Sequence, residues 1–142
     1  MKILFKKLVA EAQKPKFGKP GDAGADLVAT SVDFSRKNQV VYGTGLAVEI
    51  PEGMVGLIFP RSSVRNYDLS MSNSVGVIDS GYRGEIMVTF NILNLHTVEN
   101  SYQVGDRIAQ LVIMPVPLAQ YVEVEELSET SRGTEGHGST GR

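Results

Sequence analysis

Groups that could do chemistry are concentrated between Asn73 and Gly84, where an amide, a carboxylate, a hydroxyl and a phenol stand close together. Two apolar runs, one ending at Ile78 and the next resuming at Ile86, flank a turn made of Asp79, Ser80 and Gly81, and the whole reads as a hairpin. A carboxylate fixed at such a turn can orient a water. The backbone edge of Gly76, Val77 and Ile78 can hydrogen-bond a planar base, and Tyr82 offers a flat face to a sugar. The same letters also make an Asp-Ser-Gly turn that caps its own backbone. In Phe59-Pro60-Arg61-Ser62-Ser63 a guanidinium, two hydroxyls and outward backbone N–H groups converge within one turn, which suits phosphate oxygens. A plain N-cap followed by a surface arginine fits those residues as well. The tail from Arg132 to Gly141 interleaves Gly133, Gly136, Gly138 and Gly141 with Ser139 and Thr140. It lacks the lysine and the following helix of a P-loop, so it is either a lid whose backbone wraps a polyphosphate or a loose terminus. Asp26, at the start of a strand after a Gly-rich turn, could hold a metal-bound water or simply serve the turn. Gln110 shares a strand face with Ile108, Val112 and Met114 and needs a polar partner there. His96, in a polar loop, is poor evidence for a metal site.

The elements that must carry these groups are strands. Leu46, Val48 and Ile50; Val55, Leu57 and Phe59; Ile86, Val88, Phe90 and Ile92; and Ile108, Gln110, Val112 and Met114 each repeat with period two. Turn formers such as Pro20-Gly21-Asp22, Pro51-Glu52-Gly53 and Val104-Gly105-Asp106 punctuate them, and no stretch sustains helical periodicity. This pattern predicts an all-β fold, a jelly-roll-like barrel or sandwich. One short helical turn is expected at Arg61 to Asn66, with Ser62 and Ser63 as caps. From Ser128 onward no aliphatic residue remains, so the expected division is a β domain over 1–127 and a flexible Gly-rich arm over 128–142.

Composition narrows the function classes. At 142 residues the chain is one domain in size, and its net charge of -2, with scattered basic residues, argues against nucleic acid or an anionic membrane as partner. With no cysteine, disulfide and thiolate chemistry are excluded, and any metal must rest on oxygen or on His96 and His137. The basic N-terminus breaks at Lys6, Lys7 and Glu11 before a secretory core could form, and the apolar stretch from Leu111 to Leu118 is far short of a membrane span. A cytoplasmic chain is expected.

Taken in order, Ala23-Gly24-Ala25-Asp26-Leu27, Pro60-Arg61-Ser62-Ser63, Gly76 to Gly84, Gly105 to Gln110 and Arg132 to Gly141 resemble the five motifs of the trimeric dUTP pyrophosphatases across almost the whole chain. The resemblance implies a homotrimer whose active sites lie at subunit boundaries and draw motifs from different chains. It implies that Asp79 is the general base for a water attacking the α-phosphorus of dUTP, giving dUMP and pyrophosphate. Asn73 and the backbone of Gly76, Val77 and Ile78 would read uracil, and Tyr82 would pack on deoxyribose and exclude a 2′-hydroxyl. Ser62, Gln110, Arg132, Ser139 and Thr140 would contact phosphates, with Ser63 in the same turn, Gly138 in the closing tail and Arg61 as support. Asp26 would act through water on Mg²⁺, which rests mainly on the substrate phosphates.

Two departures stand in the tail. His137 replaces the Phe that usually stacks on uracil, so stacking should weaken while closure is retained, and Glu135 replaces a usual Gly, its carboxylate expected to point away from the polyphosphate. The related dCTP deaminases carry a catalytic Glu on the following strand, where this chain has Thr89. A non-catalytic, nucleotide-binding trimer of the same fold is the rival from another class.

Overall fold

Alternating apolar residues form strands where a sheet can bury one face. In a computed structural model, which describes residues 1–94, 100–134 and 136, these strands are β1 (Leu4–Lys7), β2 (Ala25–Val28), β3 (Ser31–Asp33), β4 (Gln39–Gly43), β5 (Leu46–Glu49), β6 (Met54–Pro60), β7 (Leu69–Met71), β8 (Gly76–Ile78), β9 (Met87–Ile92) and β10 (Arg107–Pro115). A 3₁₀ turn over Ser62–Asn66 joins β6 to β7. All pairings are antiparallel. They make a two-stranded sheet β1-β5 and two four-stranded sheets, β2-β10-β6-β8 and β3-β4-β9-β7. Most neighbours within a sheet are distant in sequence, as in the all-β, jelly-roll-like architecture expected. After β10 the residues 116–134 form neither strand nor helix and are exposed. No helix among the described residues is long and apolar enough to cross a membrane.

Three expectations change, and the inward face of one expected strand is now defined. The Ile78 and Ile86 runs do not form a hairpin: β8 pairs with β6 and β9 with β4 and β7, so residues 79–86 cross from one sheet to the other. In β6 it is Gly56 and Ile58 that face the core, while Val55, Leu57 and Phe59 are half-buried on the outer face. A register shift between Arg107 and Ala109 sends Ile108 into the core, off the face of Gln110, Val112 and Met114. An inserted residue in one strand reverses the parity of everything beyond it. Finally, Ser62 and Ser63 do not cap the 3₁₀ turn. The residue at its N-terminus is Arg61, in extended conformation, and no side chain bonds the first N–H groups.

Ile86, Val88 and Phe90 point inward as expected, and they meet an aromatic cluster that ties the core to the chemistry. Tyr42 lies edge-on to Phe90 and to Tyr102, with centroids 5.9 and 6.2 Å apart, and its hydroxyl donates to the Tyr102 carbonyl at 2.9 Å. Such rings bury enough apolar surface to stabilise the fold by about 2 kcal/mol each, with edge contacts adding further. The Tyr102 hydroxyl lies 3.2 Å from Ser63 Oγ, so the 3₁₀ turn hangs directly from the core.

Candidate active site

β6 ends at Pro60 and delivers Arg61, Ser62 and Ser63 next to β2 and β10. There Arg61 Nε donates to Asp26 Oδ1 at 2.7 Å and its Nη1 to Ser63 Oγ and the Arg107 carbonyl, each at 3.2 Å. Arg107 Nη1 donates to the other Asp26 oxygen at 3.0 Å. The Asp26 side chain is only 14% exposed, so its bond to the largely buried Arg61 is charge-assisted in a partly desolvated site and stabilises the arrangement by about 1.5–3 kcal/mol, whereas the bond from the more exposed Arg107 adds at most about 1 kcal/mol. The Arg61 guanidinium is thus engaged in holding Asp26 and Ser63. Burial pushes the Tyr102 phenol above its ordinary range, against a smaller opposing effect of its hydrogen bond to Ser63, so it stays a neutral hydroxyl beneath the turn.

Lys19, Asp26, Arg61, Ser62, Arg107 and Gln110 line a concavity of about 750 Å³. Gln110 finds the partner it needed, since its Nε2 donates to the Pro60 carbonyl at 3.1 Å. Gly24 packs against this side chain, and a Cβ there would stand 3.0 Å from Gln110 Cβ and closer still to Oε1. Polar and cationic, with Ser62 exposed at its rim, this concavity suits phosphate groups. Lys19, Gly24 and Arg107 were not singled out from the sequence. Arg107 and Gly24 do lie inside the Gly105 to Gln110 and Ala23 to Leu27 motifs, so spacing to Asp26 and Gln110 was the available signal.

A second set of groups surrounds β8, the edge strand of its sheet. Asn73, Gly76, Val77, Ile78 and Thr89 contribute to a concavity of about 310 Å³, and Val77, Ile78, Asp79, Tyr82 and Glu85 to an adjoining one of about 180 Å³. β8 pairs with β6 on one side only, so backbone groups on its other edge are open to a ligand. The Tyr82 N–H donates to the Asp79 carbonyl at 3.0 Å, and Arg83 Nη1 donates to the Ser80 and Tyr82 carbonyls at 2.6 and 2.9 Å, so the turn is closed by backbone and by the Arg83 guanidinium. Among the described residues no hydrogen bond or ion pair engages the Asp79 carboxylate.

The two sets do not converge within one chain. Gly56 pairs with Ile78, so Asp79 comes beside Val55, while Arg61 lies beyond the far end of β6. At the rise of an extended strand that separation is about 20 Å. Gln110, opposite Phe59, belongs to the distant end as well. Of the tail residues, Arg132 lies in an exposed turn over 131–134, and His137, Gly138, Ser139 and Thr140, with Glu135 and His96, lie outside the described residues.

Known proteins resemble this chain in sequence and in fold. The dUTPase family profile matches residues 10–141. A deoxyuridine 5'-triphosphate nucleotidohydrolase of Rhodococcus erythropolis is 43% identical over 99% of this chain and 87% of its own length. Its counterpart from Nocardia farcinica is 48% identical over 89% and 78%. Among solved structures, Staphylococcus bacteriophage 80alpha dUTPase with dUpNHpp superposes with a TM-score of 0.86 at 29% identity, covering 99% of both chains. A mutant dUTPase from phage phi11, solved for the coordination of a structural Mg(II) ion, gives 0.75 at 27% identity over 89% of this chain and 98% of its own. This chain belongs to the dUTPase family.

Proposed function

We propose that this enzyme hydrolyses dUTP to dUMP and pyrophosphate, lowering dUTP and supplying dUMP for thymidylate synthesis in the cytoplasm. The observation that carries the reading is the open edge of β8, flanked by Asn73 and ending in an Asp79 carboxylate that no described group engages. Uracil has the donors and acceptors of a strand neighbour, so the backbone of Gly76, Val77 and Ile78 with Asn73 reads it as a sheet edge reads a strand. Tyr82 packs on the deoxyribose. Asp79 then takes a proton from a water attacking the α-phosphorus, and the bond to the bridging oxygen breaks to release pyrophosphate. The phosphates lie against Ser62, Ser63 and Gln110, with Arg61 as the brace behind them. The arm over 128–142 closes over the β domain, bringing Arg132, Gly138, Ser139 and Thr140 to the phosphates and His137 to the base.

Mg²⁺ fits this donor set in one way only. Both Asp26 oxygens already accept from guanidinium groups, and the described residues offer no cluster of three metal-ligating side chains. Asp26 therefore suits a water of the ion's hydration shell rather than the ion itself, the usual preference of Mg²⁺. When bound, the ion neutralises charge on the polyphosphate.

The separation of about 20 Å along β6 supports a homotrimer in which Asp79 of one chain serves phosphates held by Ser62 and Gln110 of the next. So does the apolar outer row of Leu57, Val77, Val112 and Met114, of which Val77 is 61% exposed. Deamination of dCTP is disfavoured by Thr89, which lines the same concavity and has no carboxylate to move a proton. Pyrophosphate release from dUTP, dTTP, dCTP and UTP with Mg²⁺, in the intact chain and in Asp79→Asn, tests the proposal. Turnover of dUTP alone, lost in the variant, is expected. Binding of dUTP without cleavage would instead favour the non-catalytic trimer, and ammonia from dCTP the deaminase.

A further inference from the structure

The ring of Tyr82 stands on a mount of its own. Its hydroxyl donates to the Glu85 carbonyl at 3.0 Å, and the Glu85 carboxylate turns the other way to accept the Gly45 N–H at 2.7 Å. Gly45 belongs to the buried passage from β4 to β5. There Thr44 Oγ1 donates to the Ile86 carbonyl at 2.7 Å and the Ile86 N–H to the Leu46 carbonyl at 2.8 Å. The residue on which Tyr82 rests is thereby fixed through its side chain and through its neighbour to core backbone. Gly84 sets the other boundary. A Cβ at that position would lie 2.6 Å from Tyr82 Cζ and nearer still to the hydroxyl, so any side chain there displaces the phenol. Glu85 shares the small concavity with Asp79 and Tyr82, yet its carboxylate is committed to Gly45.

We propose that Glu85 and Gly84 are positioning residues that set discrimination between deoxyribose and ribose by fixing where the Tyr82 ring stands. The inference rests on the reading in which Tyr82 packs against the sugar. A ring held from below rejects an extra 2′-hydroxyl by overlap, because it cannot retreat. A ring released by even a fraction of an ångström loses that power while still covering the sugar. The mount does not include the Asp79 carboxylate, so its loss falls on binding and selectivity more than on the attack of water.

The test is steady-state kinetics with Mg²⁺ on dUTP and UTP for the full chain and for Glu85→Ala, Glu85→Gln, Gly84→Ala and Tyr82→Ala, with thermal unfolding recorded for each. Glu85→Ala is expected to lower the dUTP-to-UTP ratio of kcat/KM about tenfold, mostly through a higher KM for dUTP and a lower one for UTP. Glu85→Gln keeps an oxygen for the Gly45 N–H and should recover most of the ratio. Gly84→Ala leaves the Glu85 anchor intact and should still lower it, so a Glu85→Ala chain that fails to fold does not spare the proposal. If Tyr82→Ala lowers the ratio while folded Glu85→Ala and Gly84→Ala keep it, the mount has no part in selectivity and the proposal is wrong. An unchanged ratio in Tyr82→Ala would instead overturn the placement of the ring against the sugar.

Discussion

Two inactive variants of this chain should restore activity in each other. Asp79→Asn removes the base, which costs about 10²–10⁴ in rate. Ser62→Glu places a carboxylate at the exposed rim of the phosphate concavity. A like charge about 4 Å from a phosphate oxygen, at an effective dielectric of about 20, opposes binding by about 4 kcal/mol, or roughly a thousandfold. Each homotrimer should therefore be nearly inert. The β6 register keeps Asp79 and Ser62 of one chain about 20 Å apart, too far to serve the closely spaced phosphates of one nucleotide, so on the proposed reading a working site combines two chains. In trimers assembled from equal amounts of the variants, half the sites receive an intact Asp79 and half of those an intact Ser62. About one quarter of wild-type pyrophosphate release should return. The assay is co-refolding, native mass spectrometry to verify mixed trimers, and release from dUTP. Mixed trimers no more active than their parents would refute the two-chain site and the separation from which it is argued.

Gly24→Ala should raise KM for dUTP about tenfold without changing which nucleotide is used, since the added Cβ displaces Gln110 from the phosphate side; initial rates decide it. His137→Phe should tighten dUTP binding, measured by calorimetry with a non-hydrolysable analogue, through better stacking on the base; unchanged or weaker affinity would refute the stacking role. Stability should fall in alkali. Burial, the leading cause for both, holds the Tyr42 and Tyr102 phenols above their ordinary range, so above about pH 10 the unfolded chain releases protons that the folded one keeps. That stabilisation is complete below the ordinary phenol value and is lost as pH rises through the raised ones, by up to about 1.4 kcal/mol per pH unit for each phenol. Urea midpoints between about pH 8 and 11 should show the decline, and Tyr42→Phe should remove part of it.

Period two disclosed four strands and the apolar residues within them, because alternation is a local property of extended backbone. It did not disclose which side of a strand was inward. In β6 both rows are apolar and the inward one contains Gly56, which has no side chain to signal burial, so Val55, Leu57 and Phe59 stood out although they face outward. In β10 the extra residue at Ile108 reversed the parity, a choice made by the partner strand β2. The runs around Asp79 looked like a hairpin because they are neighbours in sequence, but their hydrogen-bond partners β6 and β4 lie far upstream. Strand β1 passed unseen, since its residues Leu4–Lys7 are all exposed and carry no alternation of burial. At the candidate site, carboxylate, hydroxyl and phenol each fitted a turn or a cap as well as a reactive role, and only the order and spacing of the five motifs singled them out. The roles of the supports stayed hidden. Glu85 and Gly84 matter through their distance to Gly45 and Tyr82, and Gly24 through what it leaves out beside Gln110.

The electrostatics of the phosphate side explain why, on the proposed reading, the site has to be finished by parts that arrive with the substrate. Lys19, Arg61 and Arg107 face Asp22 and Asp26 around the concavity, leaving one net positive charge for a polyphosphate that carries several negative ones. Asp26 takes a large share of the two guanidiniums' field, so their main service is geometric: they hold Ser63, Asp26 and the end of β10 in register. A site built this way binds a bare triphosphate weakly. It gains strength only when Mg²⁺ shares the phosphate charge and Arg132 closes in with the tail. Raising the standing positive charge, as Asp26→Asn would, should therefore strengthen retention of pyrophosphate while loosening the Arg61 brace. Product inhibition would rise as turnover falls. Product-inhibition constants for pyrophosphate measured beside kcat distinguish this from a simple loss of fold, which would lower both affinity and rate.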